Sequence, residues 1–120
     1  MIRLIILLAG AIPLLFAQLV AQSLGVATFS DGSRYEGELK DGKPHGSGVL
    51  RWPNGDRYQG QWKDAKFHGR GDYIYANGKR YVGEWRNGKK YGSGVLTWPN
   101  GNRYDGEFKD NKRTGRGVFT

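Results

Sequence analysis

The sequence predicts an all-β fold: a single elongated antiparallel meander of repeated β-hairpins, preceded by an apolar N-terminal helix or signal segment. Three observations predict it. A block of 23 residues opening on tyrosine recurs at Tyr35, Tyr58, Tyr81 and Tyr104, and a fixed period in the range of roughly 20–50 residues marks stacked repeats that bury their apolar faces only against neighbours. Within each block, rings and aliphatic residues alternate with polar ones at the period of two that a strand requires. Asp31-Gly32, Asn54-Gly55, Asn77-Gly78 and Asn100-Gly101 fall between the alternating runs, and such dipeptides tolerate the positive φ of tight hairpin turns.

The first 23 residues stand apart from the repeats. Met1 to Arg3 give a short positive start, Leu4 to Val20 is apolar apart from Gln18, and Ala21 and Ser23 are small residues at alternate positions. This layout is that of a signal peptide cleaved near Ala21 or Ser23, or of an uncleaved N-terminal membrane anchor. As a span the run of about 17 residues is short, and Pro13 interrupts it. Either reading puts the repeats outside the cytoplasm, as an exported (periplasmic or secreted) or a membrane-anchored protein.

The array covers residues 25–120, with a half repeat at 25–34 and repeats at 35–57, 58–80, 81–103 and 104–120, the last six residues short. The half repeat aligns Gly25 to Arg34 with Gly48 to Arg57. Each full repeat carries one strand around Tyr-x-Gly and a second around Gly-x-Gly, giving about nine strands in all. Asn54-Gly55 and its equivalents are expected to form the short hairpin turns, with Pro53 and Pro99 beside them where no central ladder bond is lost. Longer turns are expected at Asp41 to His45, Asp64 to His68, Asn87 to Tyr91 and Asp110 to Thr114. All connections are short, so successive strands pair antiparallel. Tyr35, Tyr58, Tyr81 and Tyr104 define the repeats together with Gly37, Gly60, Gly83 and Gly106. These glycines sit between large side chains on one face and leave room for a ring to lie across the strand.

Composition narrows the chemistry. The chain has no cysteine, which removes disulfides, thiolate metal sites and a cysteine nucleophile. It has 20 glycines, 13% aromatic residues and a net charge of +8. Glycine at fixed repeat positions among that many rings indicates an ordered sheet rather than a disordered polar chain.

The pattern Tyr-x-Gly-x-x-x-x-Gly-x-x-His-Gly-x-Gly stands here as Tyr35, Gly37, Gly42, His45, Gly46 and Gly48. The second copy keeps Tyr58, Gly60, His68, Gly69 and Gly71 but has Ala65 at the middle glycine; the third has Tyr91 for the histidine, and the fourth has Asn111 and Thr114 at those two places. This pattern resembles the MORN repeat (membrane occupation and recognition nexus), over essentially everything after residue 24. The resemblance implies a curved single sheet of hairpins acting as a scaffold or adaptor for proteins or acidic lipid headgroups, with no catalytic activity of its own.

The candidate chemistry is sparse. His45 and His68 share one repeat position and are read as turn residues, since further metal donors are lacking. Glu38, Gln61, Glu84 and Glu107 share another and are read as a solvated stripe facing cations across strands. Asp72, where other copies have Val49, Val95 and Val118, is read as a tolerated variant. No catalytic residues, no metal and no cofactor are assigned, and the chain is read as not an enzyme.

The candidate binding residues are Lys40, Lys43, Lys63, Lys66, Arg86, Lys89, Lys90, Lys109, Lys112 and Arg113. These ten cations sit near the expected longer turns against three acids, Asp41, Asp64 and Asp110, while the remainder after residue 24 balances at eight basic and eight acidic residues. Flexible lysines in a row suit an extended anionic membrane or envelope surface; a partner protein is the other occupant considered. The alternative function is a secreted glycan-binding module using the aromatic stripe. No nucleic-acid partner is expected. The last strand, from Gly115 to Thr120, is expected to leave an open edge with Val118 and Phe119, through which a homodimer would form.

Overall fold

The computed structural model describes residues 3–7 and 22–120. Its described strands are β1 (Arg3–Leu7), β2 (Gln22–Thr28), β3 (Arg34–Lys40), β4 (Lys43–Arg51), β5 (Arg57–Lys63), β6 (Lys66–Ile74), β7 (Arg80–Arg86), β8 (Lys89–Thr97), β9 (Arg103–Lys109) and β10 (Lys112–Phe119). They form one sheet in chain order, every neighbour antiparallel. The repeats supply nine strands, β2 to β10, as the period requires, and β2 starts at Gln22, ahead of the expected Gly25. Arg3–Leu7, expected within a helical or signal segment, pairs with β2 as a tenth strand. The rest of that expectation, over 1–2 and 8–21, lies outside the described residues. Among the described residues no helix is long and apolar enough to cross a membrane.

One glycine from each of β2 to β10 lines up across the sheet. Gly25 faces Gly37, which faces Gly48, and the series continues through Gly60, Gly71, Gly83, Gly94 and Gly106 to Gly117. Onto this row the repeat tyrosines lie flat. A Cβ built on Gly71 would stand 2.5 Å from the Tyr58 ring, and one on Gly94 2.5 Å from the Tyr81 ring. This is how a single layer buries large rings: Tyr35, Tyr58 and Tyr81 are 0% exposed because backbone lies beneath them and neighbouring side chains cover them. Trp62 meets Tyr35 and Tyr58 edge-on at 5.3 and 5.1 Å, and Trp85 meets Tyr58 and Tyr81 at 5.6 and 5.1 Å. Each tryptophan thus bridges two repeats, in the edge-to-face geometry that aromatic quadrupoles favour. Ala27, Leu39, Leu50, Leu96, Tyr104 and Phe108 complete the buried row.

The two kinds of turn are the reverse of the expectation. The two-residue turns are Asp41-Gly42, Asp64-Ala65, Asn87-Gly88 and Asp110-Asn111, where both residues have positive φ, for example 50° and 65° in the second. That is the type I′ geometry whose twist matches paired strands. The Asn-Gly dipeptides instead belong to longer loops. Trp52 N–H donates to the Asp56 carbonyl at 3.0 Å and Gly55 N–H to the Trp52 carbonyl at 3.1 Å, with Gly55 alone at positive φ, +98°. Pro53 and Pro99 fit the first central position of a type I turn, but the loops at Ser30 and Ala76 close in the same way without proline, Phe29 N–H donating to the Ser33 carbonyl at 2.9 Å and Tyr75 N–H to the Lys79 carbonyl at 2.8 Å. The Asn54 side chain then accepts the Asp56 N–H at 2.9 Å, and Asp31, Asn77 and Asn100 do the same two residues on.

A second departure lies in β4, β6, β8 and β10. Gly37 pairs with Gly48 and Leu39 with Pro44, so Glu38 alone faces His45, Gly46 and Ser47. Gly46 takes φ +80° to make this bulge, a conformation that costs other residues about 1–2 kcal/mol. The freed Ser47 N–H donates to the Glu38 carboxylate at 2.6 Å; Arg70 N–H donates to Gln61 at 2.8 Å and Ser93 N–H to Glu84 at 2.7 Å. Three members of the expected solvated stripe are therefore partners of bulge amides, which the regular ladder cannot reach.

The loops are also tied across repeats. Asp56 accepts the Tyr73 hydroxyl at 2.7 Å and the Ala76 N–H at 2.8 Å. Burial would raise its pKa, but these donors outweigh it and hold the carboxyl below its ordinary value. A depressed folded pKa contributes stability above the ordinary carboxylate range of about 4, lost as pH falls through the folded pKa. The difference in urea midpoint between the native chain and Asp56→Asn is therefore expected to be fully open at neutral pH and to close on acidification. A gap constant with pH would show that the carboxylate charge is irrelevant.

Candidate functional site

Eight cations flank the two-residue turns on β3 to β10, all exposed. The short turns put them directly opposite one another: Lys40 against Lys43, Lys63 against Lys66, Arg86 against Lys89, Lys109 against Lys112. Like charges directly opposite in an antiparallel pair are destabilising, and here the arrangement occurs four times along one edge. Among the described residues none of the eight has a carboxylate within 4.0 Å, the ion pairs being Arg34–Glu36, His45–Asp64, Arg80–Asp72 and Arg103–Asp105. Three of those four bind arginines near the opposite ends of the strands. Asp72 is thus an ion-pair partner, its Oδ1 accepting Arg80 Nε–H at 2.9 Å. Arg57 has no carboxylate within 4.0 Å among the described residues and donates to Gln59 at 2.6 Å.

A recess of about 530 Å³ interrupts this rim, lined by Lys66, Arg86, Lys89 and Lys109 with Tyr91 and Asp110. The Arg86 guanidinium lies 5.1 Å from the Tyr91 ring centre, a cation–π contact that holds the fork in place.

Lys90 and Arg113 do not belong to the rim. Successive strand residues point to opposite faces, so Lys90 points away from Lys89, pairs with Trp85 and is buried, at 9% exposure. Its Nζ donates to the Tyr75 hydroxyl at 3.0 Å. Arg113 pairs with Phe108 and lies 5.6 Å from the Tyr104 ring centre. Both occupy the repeat position of Pro44 and Phe67, an inward place that counting alternation from the neighbouring rim lysine identifies.

The histidines divide. His45 Nδ1 accepts the Asp64 N–H at 3.3 Å, joining one repeat to the next turn. His68 Nδ1 is buried with no hydrogen-bond partner among the described residues. They share a cavity of about 310 Å³ with Trp62 and Lys63. Among the described residues no cluster of three or more His, Asp or Glu could hold a metal.

The repeat tyrosines serve the fold. The hydroxyls of Tyr35, Tyr58 and Tyr81 donate to the Glu38, Gln61 and Glu84 carbonyls at 2.6, 2.7 and 2.9 Å. Burial pushes all three phenols well above their usual pKa, with the Glu38 and Glu84 carboxylates adding to the rise at Tyr35 and Tyr81. They stay protonated as donors.

No curated protein matches the chain. The family profile described as MORN repeat matches residues 35–57, 58–80, 81–103 and 104–120, the same blocks that the tyrosine period marks out. With the repeat, the hairpin meander and the family profile in agreement over most of its length, the chain belongs to the MORN-repeat family.

Proposed function

We propose that the chain is a non-catalytic binding scaffold whose rim of paired cations meets an extended anionic surface. The observation that carries this reading is the set of four like-charged cross-strand pairs without an ion partner among the described residues. Equivalent cations recur every two strands, about 10 Å apart at the usual strand spacing, so the rim is an extended line of charges, indented by the recess beside Arg86. Each lysine near an acidic membrane contributes about 1 kcal/mol, screened over about 10 Å. Eight such charges accumulate into useful affinity only on a surface as long as the rim. If the leader exports or anchors the array as expected, that surface is an acidic membrane or envelope face outside the cytoplasm. A glycan reading would need open ring faces, and Tyr35, Tyr58 and Tyr81 offer none.

The test is co-sedimentation with vesicles of phosphatidylserine and phosphatidylcholine, against phosphatidylcholine alone, across a salt series. The native chain is expected to bind the acidic vesicles and to release with salt. Lys43→Gln, Lys66→Gln and Lys89→Gln together are expected to remove binding, while Arg57→Gln, Arg80→Gln and Arg103→Gln, an equal change in charge, weaken it little. Equal weakening by both sets, or binding indifferent to salt, would sink the rim as the contact surface.

A further inference from the structure

The aromatic face carries a second cationic feature that the rim does not explain. In the first two full repeats the inward position beside the two-residue turn holds Pro44 and Phe67; in the last two it holds Lys90 and Arg113, paired with Trp85 and Phe108. The fold accepts an apolar residue there, so the two cations are not a requirement of the repeat.

Lys90 is nine-tenths buried with no carboxylate within 4.0 Å among the described residues. Its Nζ lies 5.7, 5.5 and 5.8 Å from the ring centres of Tyr75, Tyr81 and Trp85. Lys79 Nζ shares the Tyr75 ring, at 5.0 Å. Arg113 lies 5.7 Å from both the Trp98 and Phe119 ring centres. A buried lysine is costly unless paired; ring faces and one phenol offset part of that cost and leave further N–H donors free. Lys79, Lys90, Lys112 and Arg113 all line one open recess of about 550 Å³, whose lining contains no aspartate or glutamate. Its apolar lining is Leu96, Trp98 and Phe108.

We propose that this recess is a docking site for an acidic peptide segment of a partner protein, one that places a large apolar side chain on Leu96, Trp98 and Phe108 and its carboxylates on Lys90 and Arg113. Charge complementarity selects the acid, since among the described residues these four cations meet no carboxylate within 4.0 Å. The volume and the apolar lining select a peptide over a small ion, which would leave that lining uncovered. The Arg113 fork suits a carboxylate in two-bond contact, and Lys90 supplies a desolvated charge, where an ion contact is worth more than at the wet rim.

The probe is a fluorescein-labelled hexapeptide with two central leucines flanked on each side by two glutamates, followed by anisotropy on the full chain at about 0.15 M salt. The same peptide with glutamines is expected to bind at least about tenfold more weakly, and Lys90→Met and Arg113→Gln each to weaken the acidic peptide at least about fivefold. Lys90→Met is also expected to raise the thermal midpoint, since an apolar side chain of similar length replaces an unpaired buried charge. Arg113 is exposed, so its variant tests the site even if the Lys90 variant does not fold. Lys43→Gln with Lys66→Gln, on the rim, is expected to leave peptide binding unchanged, which separates this site from the membrane reading. Equal binding of the glutamine peptide, or equal loss in the rim variant, overturns the proposal. Displacement by inorganic phosphate as readily as by unlabelled peptide overturns it in favour of a phosphate group.

Discussion

Alanine at Gly83 or at Gly94 is expected to destabilise the chain by more than about 3 kcal/mol, beyond the usual range for overpacking a core. At Gly83 the new methyl would stand 2.5 Å from Gly94 Cα, 2.6 Å from the Ser93 carbonyl oxygen and 2.7 Å from the Tyr81 hydroxyl. Two of those three neighbours are backbone of the adjoining strand, which cannot retreat without breaking ladder bonds on both sides. At Gly94 the methyl would meet the Tyr81 ring at 2.5 Å, and that ring is fully buried with no other place to lie. The control is Gly88→Ala, in a two-residue turn at φ +81° with nothing within 4 Å. Ala65 already holds the equivalent turn position at φ 65°, so the cost there is the left-handed backbone alone, about 1–2 kcal/mol. Urea denaturation of the three variants checks this. A Gly88→Ala cost matching the other two would show that the glycine row is not what admits the rings.

Trp85→Ala is expected to cost about 3–5 kcal/mol and to divide the array. Trp85 touches Tyr58 and Phe67 of one repeat, at 5.6 and 5.1 Å, and Tyr81 of its own, at 5.1 Å, and its Nε1–H donates to the Gly71 carbonyl at 3.3 Å. In a repeat array stability is held in such contacts between neighbours. Removing them is expected to split a single unfolding transition into two, with amide exchange faster in β5 and β6 or in β7 and β8 than in the native chain. Val118→Ala, at a residue 63% exposed, is expected to stay within about 0.5 kcal/mol. A single transition merely shifted to lower urea would show that repeats two and three are coupled by the backbone ladder instead.

The period, the strand order and the face carrying the rings were legible in the sequence, because Tyr58 and Gly60 recur at one fixed offset and any slip would turn every ring to solvent. The turn types were not. Asn54-Gly55 has the same letters in a two-residue and in a three-residue loop, and Asn77-Gly78, which follows Ala76 rather than a proline, takes the same three-residue loop. The bulge was hidden because three residues opposite one leave no mark in an alternating pattern; only its consequence, Gly46 two places before Gly48, is visible. Missing the bulge hid the work of Glu38, Gln61 and Glu84. Lys90 and Arg113 were grouped with the rim by nearness to a turn rather than by face, whereas Lys89 and Lys112 sit on the other parity.

The glycine row also fixes how the molecule answers to force. Every ladder bond runs between neighbouring strands, perpendicular to them, so tension drawing β2 away from β10 pulls along the hydrogen bonds rather than shearing them together. Load then falls on one strand pair at a time, and the tyrosines seated across the glycines are the stitches that must lift before the next pair parts. An array held flat along its rim is spared that peeling geometry, whereas one gripped only at its two outermost strands lengthens hairpin by hairpin, in even steps set by its own repeat.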